Sequence, residues 1–534
     1  MNVIKLLVNR RVSTAVDAYY VYKAVILGEG GVPEVHRPYC DPQIFFSITY
    51  VTPAMKQYAE DILRRLSRGE SGVYLMPALL GAGKSHFLAF VLHLIALYRR
   101  CNGAGKCVAR ELEKYGIELE TPDLAKLPEV YVLRGGHELG GRELKLRRAK
   151  TKEELARVRA TPFIIIFDET QYFEKHEPDF PLWLQMLSEV VADTEGIMLV
   201  SFSLFGGTDE EERKNEQKVE EPDLRHYISI DVVNRVSPVK VVLDTVDNIV
   251  NVFRRWANIK PRNVDLSPLE GAVDDKLLSE FRRKLTESYP FNPYLLDVVR
   301  RLAEESVVSE TRVQLTRGLL WALAYAYVYA TEEGAALATF RHLPKPEELL
   351  NVGGKFAADW KTLVELYNED VKKVGEKPFV VSVLRQILLT TFLSKFVKSE
   401  LYPAEDDLVL GSFDGLAKPS DVRAFLLMSQ GLHIHRLSNG RYLYWYVGDV
   451  YDVVFEAMKQ YGELDGLEEV VDAAVSILHN KAGYFDAVYI SGFGPPERYH
   501  KHHRVYVVAS KEEWEKRLRD SKIAILAVDL ANFG

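Results

Sequence analysis

Cysteine is scarce. The 534-residue chain holds three, Cys40, Cys101 and Cys107, too few for a disulfide framework and in keeping with a reducing cytosol. Positive charge is not in excess either. Lys and Arg number 68 against 76 Asp and Glu, a formal charge of −8, so a uniformly basic nucleic-acid surface is excluded and only local patches remain. No apolar run suits a bilayer: 86–98 and 318–330 both fall short of roughly 18 residues, so both read as core helices and no membrane contact is expected. The start of the chain lacks an apolar stretch followed by a small-residue cleavage site, which argues for a cytoplasmic location. Seven Met and three Cys beside abundant Glu, Lys, Arg and Tyr suit an archaeal or other thermophilic source.

The remaining composition, 47% hydrophobic and 27% charged, is ordinary for a globular chain of several domains. Five apolar runs read as strands: 73–76, 130–133, 163–167, 197–201 and 239–243. The third, FIIIF, is apolar on both faces, as a strand inside a parallel sheet must be. DFPLWLQMLSEVVADTEG, between the third and fourth, reads as a crossover helix, so a parallel sheet covered on both faces is expected. Two segments, 134–160 and 206–222, read as surface excursions, the first carrying Arg142, Lys145, Arg147, Arg148, Lys150 and Lys152. From about 262 to 345 the pattern is helical. Helices over 379–397 and 419–430 lead into LHIHRL–SNG–RYLYWY, whose Asn439-Gly440 favours a tight hairpin; together they suggest a winged helix. FDAVYIS, RVYVVA, KEEWEKRLRD and KIAILAVDL then form a small α/β unit.

The chemistry concentrates at Ala78-Leu79-Leu80-Gly81-Ala82-Gly83-Lys84-Ser85-His86. Ala78 stands where the full P-loop pattern has its first Gly, at modest conformational cost. Gly81 and Gly83 let backbone N–H groups, that of Ala82 among them, close on a β-phosphate, and the helix N-terminus adds donors through His86 together with partial positive charge. Lys84 reaches the β/γ-phosphates and the Ser85 hydroxyl ligates Mg²⁺. Asp168, at the tip of the third strand, holds the same ion through water, and Glu169 is the expected base or positioner for the attacking water. ATP and Mg²⁺ are therefore the expected cofactors. Ser201 or Ser203 is read either as a γ-phosphate sensor or as a strand-end serine. Arg235 is either an arginine finger to a neighbouring subunit's ATP or a salt-bridging surface residue. Arg317, in LTRGLL, is placed to approach the phosphates from the lid side.

Other constellations are weaker. Gly103-Ala104-Gly105-Lys106 repeats GAGK without a preceding strand and with Cys107 in place of Ser/Thr, so it reads as a loop. His500, His502 and His503 read as an exposed loop rather than a metal site, and His137-Glu138 lacks the second zinc histidine. The basic run 142–152 and the wing residues His433, His435, Arg436 and Arg441 are candidate nucleic-acid contacts, with a solvated insertion and a protein-docking wing as the alternatives.

DPQIFFSITYVTPAMKQYAEDILRRLSRG ahead of VYLMPALLGAGKSHFLAFVLHL resembles the entry of domain-of-unknown-function family 499, large prokaryotic ATPases of phage-defence islands distantly similar to BREX-system ATPases. The resemblance continues through IIIFDETQYFE, YPFNPYLLDVV with VQLTRGLLWAL, and GLHIHRLSNGRYLYWY, over roughly residues 40 to 450. It implies an AAA+-like module, carries over Lys84, Ser85, Asp168 and Glu169, and marks Arg317 as a sensor-like arginine.

The expected fold class is thus α/β, a P-loop NTPase (AAA+/ASCE-like) parallel-sheet core with helical lid, winged-helix domain and small C-terminal α/β unit. The expected divisions are a helical entry segment over 1–70, the core over 71–260, the lid over 261–350, the winged helix over 351–450 and the C-terminal unit over 451–534. The expected activity is ATP hydrolysis driving remodelling in a DNA-linked defence system, with a nucleotide-gated switch and a DNA translocase as alternatives. Expected partners are DNA, through wing or basic insertion, other defence-system proteins, and further copies of the chain.

Overall fold

A computed structural model describes residues 8–9, 12–13, 16–78, 83–158, 162–203, 228–243, 248–260, 262–305, 312–349, 357–397, 401–429, 431–437, 439–444 and three strands beyond 486. Asp17 caps α1 (Ala18–Val21), accepting from the N–H of Tyr19 at 2.9 Å, and the helix runs on as a π turn to Gly28, whose φ of +69° ends it. α2 (Pro42–Ile48) and α3 (Pro53–Arg68) start on the capping side chains of Asp41 and Thr52, each followed by Pro at the first helical position. Next come β1 (Gly72–Ala78), α4 (Lys84–Arg100), α5 (Gly105–Glu113), β2 (Glu129–Arg134), α6 (Gly141–Arg148) and α7 (Lys152–Val158). They are followed by β3 (Phe163–Asp168), α8 (Thr170–His176), α9 (Phe180–Ala192), β4 (Gly196–Ser203), α10 (Ile228–Asn234) and β5 (Val239–Lys240).

The five strands form one parallel sheet in the order β2-β3-β4-β1-β5. Alternation along each strand divides the core. Tyr74, Met76, Val132, Ile164, Ile166 and Leu199 pack with α3 and α4 on one face. Leu75, Leu133, Phe163, Ile165, Phe167 and Val200 pack with α9 on the other. The N-terminal segment joins the first face through Ala18, Val21, Tyr22, Phe45 and Phe46.

Two expectations need correction. Residues 134–160 are not a simple excursion: Leu146 and Leu155 are fully buried, Trp183 Nε1 donates to the carbonyl of Ala149 at 3.1 Å, and Tyr22 Oη donates to the buried Glu143 at 2.5 Å. Half of the basic residues in the run 142–152 are engaged within the chain, with Arg142 on Glu129 at 2.7 Å, Arg147 on Glu177 and Lys152 on Glu189 at 2.8 Å. Lys145, Arg148 and Lys150 remain exposed. The second GAGK is not merely a loop, and cysteine scarcity does not exclude a disulfide, because Cys101 and Cys107 are bonded across it. Gly103 turns the chain with φ +81°, and Gly105 opens α5. A Cβ at Gly105 would lie 1.9 Å from the carbonyl oxygen of Thr121, and one at Gly103 2.3 Å from that of Leu124. These glycines serve close backbone packing. The segment 206–222 lies outside the described residues.

A second core is helical. α11 (Ile249–Ala257), α12 (Asp275–Ser288), α13 (Pro293–Glu305), α14 (Arg312–Glu332), α15 (Ala357–Val374) and α16 (Pro378–Val397) lead into α17 (Glu405–Ser412) and α18 (Pro419–Leu427). Asn292, fully buried, donates to the carbonyls of Leu410 and Phe413 at 2.8 and 2.9 Å and so ties α13 to α17. The expected hairpin forms: β6 (Ile434–Arg436) pairs antiparallel with β7 (Tyr442–Tyr444), and Gly440 takes φ +81°. Several of its polar residues have partners within the chain, although His435 and Arg436 are exposed. His433 Nδ1 meets the buried carboxylate of Asp370 at 2.8 Å, Arg441 donates to the Tyr402 carbonyl at 2.5 Å, and Arg436 lies over the Tyr442 ring. Near the end of the chain β8 (Ala487–Ile490), β9 (Arg504–Val508) and β10 (Ile523–Ala527) form a parallel three-stranded sheet in the order β10-β9-β8. The expected helix there and His500, His502 and His503 lie outside the described residues. No helix among the described residues is long and apolar enough to cross a membrane.

Candidate functional site

The strand order puts β4 between β1, which leads to the glycine-rich loop, and β3, which ends in the acid pair. Three strand or helix ends therefore converge. Gly81 and Ala82 lie outside the described residues; Gly83 takes φ +90°, a left-handed conformation that favours glycine, and α4 starts at the next residue. Lys84, in the first turn of that helix, is 5% exposed. Asp168 is 1% exposed, and its Oδ1 accepts from Ser201 Oγ at 2.8 Å, Ser85 Oγ at 3.3 Å and its neighbour Glu169 N–H at 3.2 Å. Ser201, 0% exposed, lies against the acid rather than at an open strand end. The other oxygen, Asp168 Oδ2, is buried and accepts no hydrogen bond. An oxygen-lined corner with one carboxylate oxygen that accepts no hydrogen bond, beside a hydroxyl, suits a hard divalent cation, so Ser85 and Asp168 fit Mg²⁺.

Glu169 sits at the N-cap position of α8 with φ 52° and ψ 48°, left-handed backbone for a side-chain-bearing residue, which costs on the order of 1–2 kcal/mol. Such strain at a carboxylate beside the cation corner is characteristic of functional positions. Its Oε1 lies 3.5 Å from the guanidinium of Arg134. Arg134 was not singled out from the sequence. It ends β2 in register with Asp168, lies 4.0 Å from Asp168 Oδ2, and reaches Asp17 Oδ2 at 3.0 Å. One guanidinium thus serves three carboxylates. A strand ending in Arg at the level of the acid pair was the available signal; Asp17 gave none beyond a helix cap.

The remaining expected residues are distributed as follows. His86 turns its ring away from the loop, stacking on Phe45 at 5.0 Å with Nε2 3.1 Å from Thr49 Oγ1, so only its backbone can face a phosphate. Arg235 sits in the turn after α10 and donates to Gln185 Oε1 at 3.0 Å, the contact of a surface arginine. Arg317 lies on α14, with its side chain outside the described residues, as is that of Ser203.

His93, about two and a half turns along α4 from the loop, carries a pH prediction. It is 1% exposed, stacks on Phe45 at 4.2 Å and meets the Tyr39 carbonyl at 2.8 Å, and burial lowers its imidazole to about 4. The unfolded chain takes up this proton near pH 6.5, before the folded one does. His93 therefore leaves stability intact above about 6.5 and lowers it progressively as pH falls towards 4, by up to roughly 3 kcal/mol. Urea midpoints at pH 7.5 and pH 5 are expected to differ in this direction, and His93→Phe should shrink the difference; an unchanged difference contradicts the assignment.

Sheet, glycine turn and strand-end acid pair place the chain among parallel α/β proteins whose first strand feeds a helix through a glycine-rich loop. Residues 23–126, from the π turn after α1 to the segment beyond α5, match the family model of the DUF499 N-terminal domain. Among curated proteins none matches. Solved structures to which the chain is similar include Drosophila ORC bound to DNA, 10% identical with 83% of this chain and 94% of that one covered, at a TM-score of 0.29. Another is the Aeropyrum pernix ORC1 protein in complex with DNA, 14% identical, with 80% and 94% covered, at a TM-score of 0.24.

Proposed function

We propose that the chain is an AAA+-like ATPase that binds ATP-Mg²⁺ between β1 and β3 and hydrolyses it. The observation that carries this reading is Asp168: one oxygen holds the Ser85 and Ser201 hydroxyls and the other is buried without a hydrogen-bonding partner. Mg²⁺ held by Ser85 and Asp168 would neutralise charge on the phosphate oxygens. Lys84 and the start of α4 hold the phosphates, and Glu169 orients the attacking water. On this reading α11–α14 serve as a lid that brings Arg317 over the nucleotide, α16–α18 with the hairpin are a winged helix, and Arg235 reaches a neighbouring subunit. The family resemblance supports a place in DNA-linked phage defence.

Steady-state ATP hydrolysis with Lys84→Ala and Glu169→Gln, each with and without duplex DNA, tests the proposal. Turnover lost in both variants supports it, and stimulation by the duplex favours a DNA motor. Turnover unaffected by either substitution contradicts it.

One observation favours a second reading, a nucleotide-gated switch. Arg134 already engages Glu169 in a left-handed conformation, so the proposed base is restrained at rest. Retained nucleotide without turnover in the wild-type chain supports the switch.

A further inference from the structure

On the winged-helix reading α18 is the helix that would enter a duplex groove, yet its surface is wrong for phosphate. At 100° per residue its exposed arc runs from Arg423 through Leu427, Ser420, Ala424 and Met428 to Asp421, while Val422, Phe425 and Leu426 are turned into the core. Leu427 is 81% and Met428 74% exposed, side chains that a folded surface rarely offers together. The two edges of this apolar strip are together acidic on balance, Glu405, Asp406 and Asp421 standing against Arg423 and Lys418. At one edge Arg423 is matched twice, by Glu405 at 2.8 Å and Asp406 at 2.8 Å. At the other stands Asp421. Duplex binding depends on cations that neutralise phosphates. Among the described hairpin residues Arg441 is held by the Tyr402 carbonyl, Arg436 lies over Tyr442, and His433 is held by Asp370. Lys418, at the start of α18, and Lys373, bonded to the Gly431 carbonyl at 3.1 Å, lie outside the strip.

We infer that this face of α18 docks a protein partner: an amphipathic helix whose apolar stripe covers Ala424, Leu427 and Met428, flanked by Lys or Arg on both sides. An apolar strip with acidic edges is complementary to a helix with an apolar strip and basic edges, and such pairing fixes both register and charge. This inference stands apart from the ATPase reading, because it involves none of the residues around Asp168.

The test uses the full chain and a fluorescein-labelled designed helical peptide with Leu at i, i+3, i+4 and i+7 and Lys flanks. Two controls accompany it, the same composition scrambled and the same stripe with Glu flanks. Fluorescence anisotropy is expected to give binding that weakens about tenfold or more for both controls and for the Leu427→Ser/Met428→Ser chain. Leu182→Ser, at an exposed leucine on α9, should leave binding unchanged. These substitutions are at the surface, so folding is retained. Equal affinity for the scrambled peptide, or indifference to the α18 substitutions, overturns the inference. So does a duplex DNA that displaces the peptide and itself loses binding in the Leu427→Ser/Met428→Ser chain. A wild-type dimer in sedimentation that these substitutions dissolve would assign the face to a second copy and likewise overturn it.

Discussion

Asp168→Asn is expected to abolish the response to ATP-Mg²⁺ without unfolding the protein. The carboxylate has two duties with opposite consequences for stability. Oδ1 accepts three hydrogen bonds, from Ser201, Ser85 and the Glu169 N–H, and an amide oxygen can retain most of them. Oδ2 is buried, accepts no hydrogen bond, and has a guanidinium nitrogen no nearer than 4.0 Å. Removing a buried charge that is only partly compensated costs little and can stabilise the apo chain by about 1 kcal/mol. The amide cannot hold a divalent cation through that position. Turnover is therefore expected to fall on the order of 10³-fold, equivalent to about 4 kcal/mol of lost charge stabilisation. Thermal melts report the two effects separately: the apo Tm stays level or rises, while the upward shift on adding ATP-Mg²⁺ disappears. A retained shift would remove Asp168 from the cation site and the central support of the proposed function with it.

Much of this arrangement is legible in the sequence because it is local. FIIIF can only be a strand buried on both faces, and all five apolar runs expected as strands lie in or beside the observed ones. The last is cut to Val239–Lys240, since β5 is an edge that pairs only with β1. Lys84, Ser85 and the two acids are singled out by motif and by their places at strand and helix ends, and the approach of Ser85 to Asp168 follows once strand and helix alternate. What escapes the sequence is non-local. Charges at 142, 147 and 152 look solvated until Glu129, Glu177 and Glu189 are brought beside them. Three cysteines do not suggest a bond until Gly103 turns α4 back towards α5. His86 reads as part of the loop, but one helical step rotates its ring onto Phe45. The left-handed backbone of Glu169 has no signature in residue type, for glutamate seldom adopts it.

Arg134 is the residue on which these non-local contacts meet, and Arg134→Ala is expected to have the largest effect on stability. Its guanidinium lies 3.0 Å from Asp17, 3.5 Å from Glu169 and 4.0 Å from Asp168, and the Asp17 side chain is 7% exposed. Without it, two nearly buried carboxylates and a third beside them repel one another, and the imidazole of His137, 3.5 Å from Asp17, is a weaker counter-charge than a guanidinium. Truncating one partner of a buried ion pair costs about 3–5 kcal/mol, chiefly the desolvation of the charge left behind. Urea unfolding should register a loss near the lower end of that range, because Glu169 is 35% exposed and screened by solvent. Asp17→Asn in the Arg134→Ala background should recover part of it, since the deletion of an unmatched charge relieves the strain, and the two changes will not be additive. ATP-Mg²⁺ supplies a second test. A cation at Asp168 replaces part of the missing positive charge, so the ligand should raise the Tm of Arg134→Ala by more than that of the wild type. Additive substitutions with an equal ligand shift would mean that Arg134 is a surface arginine that happens to lie near the acids, and that the N-terminal segment is not coupled to the site.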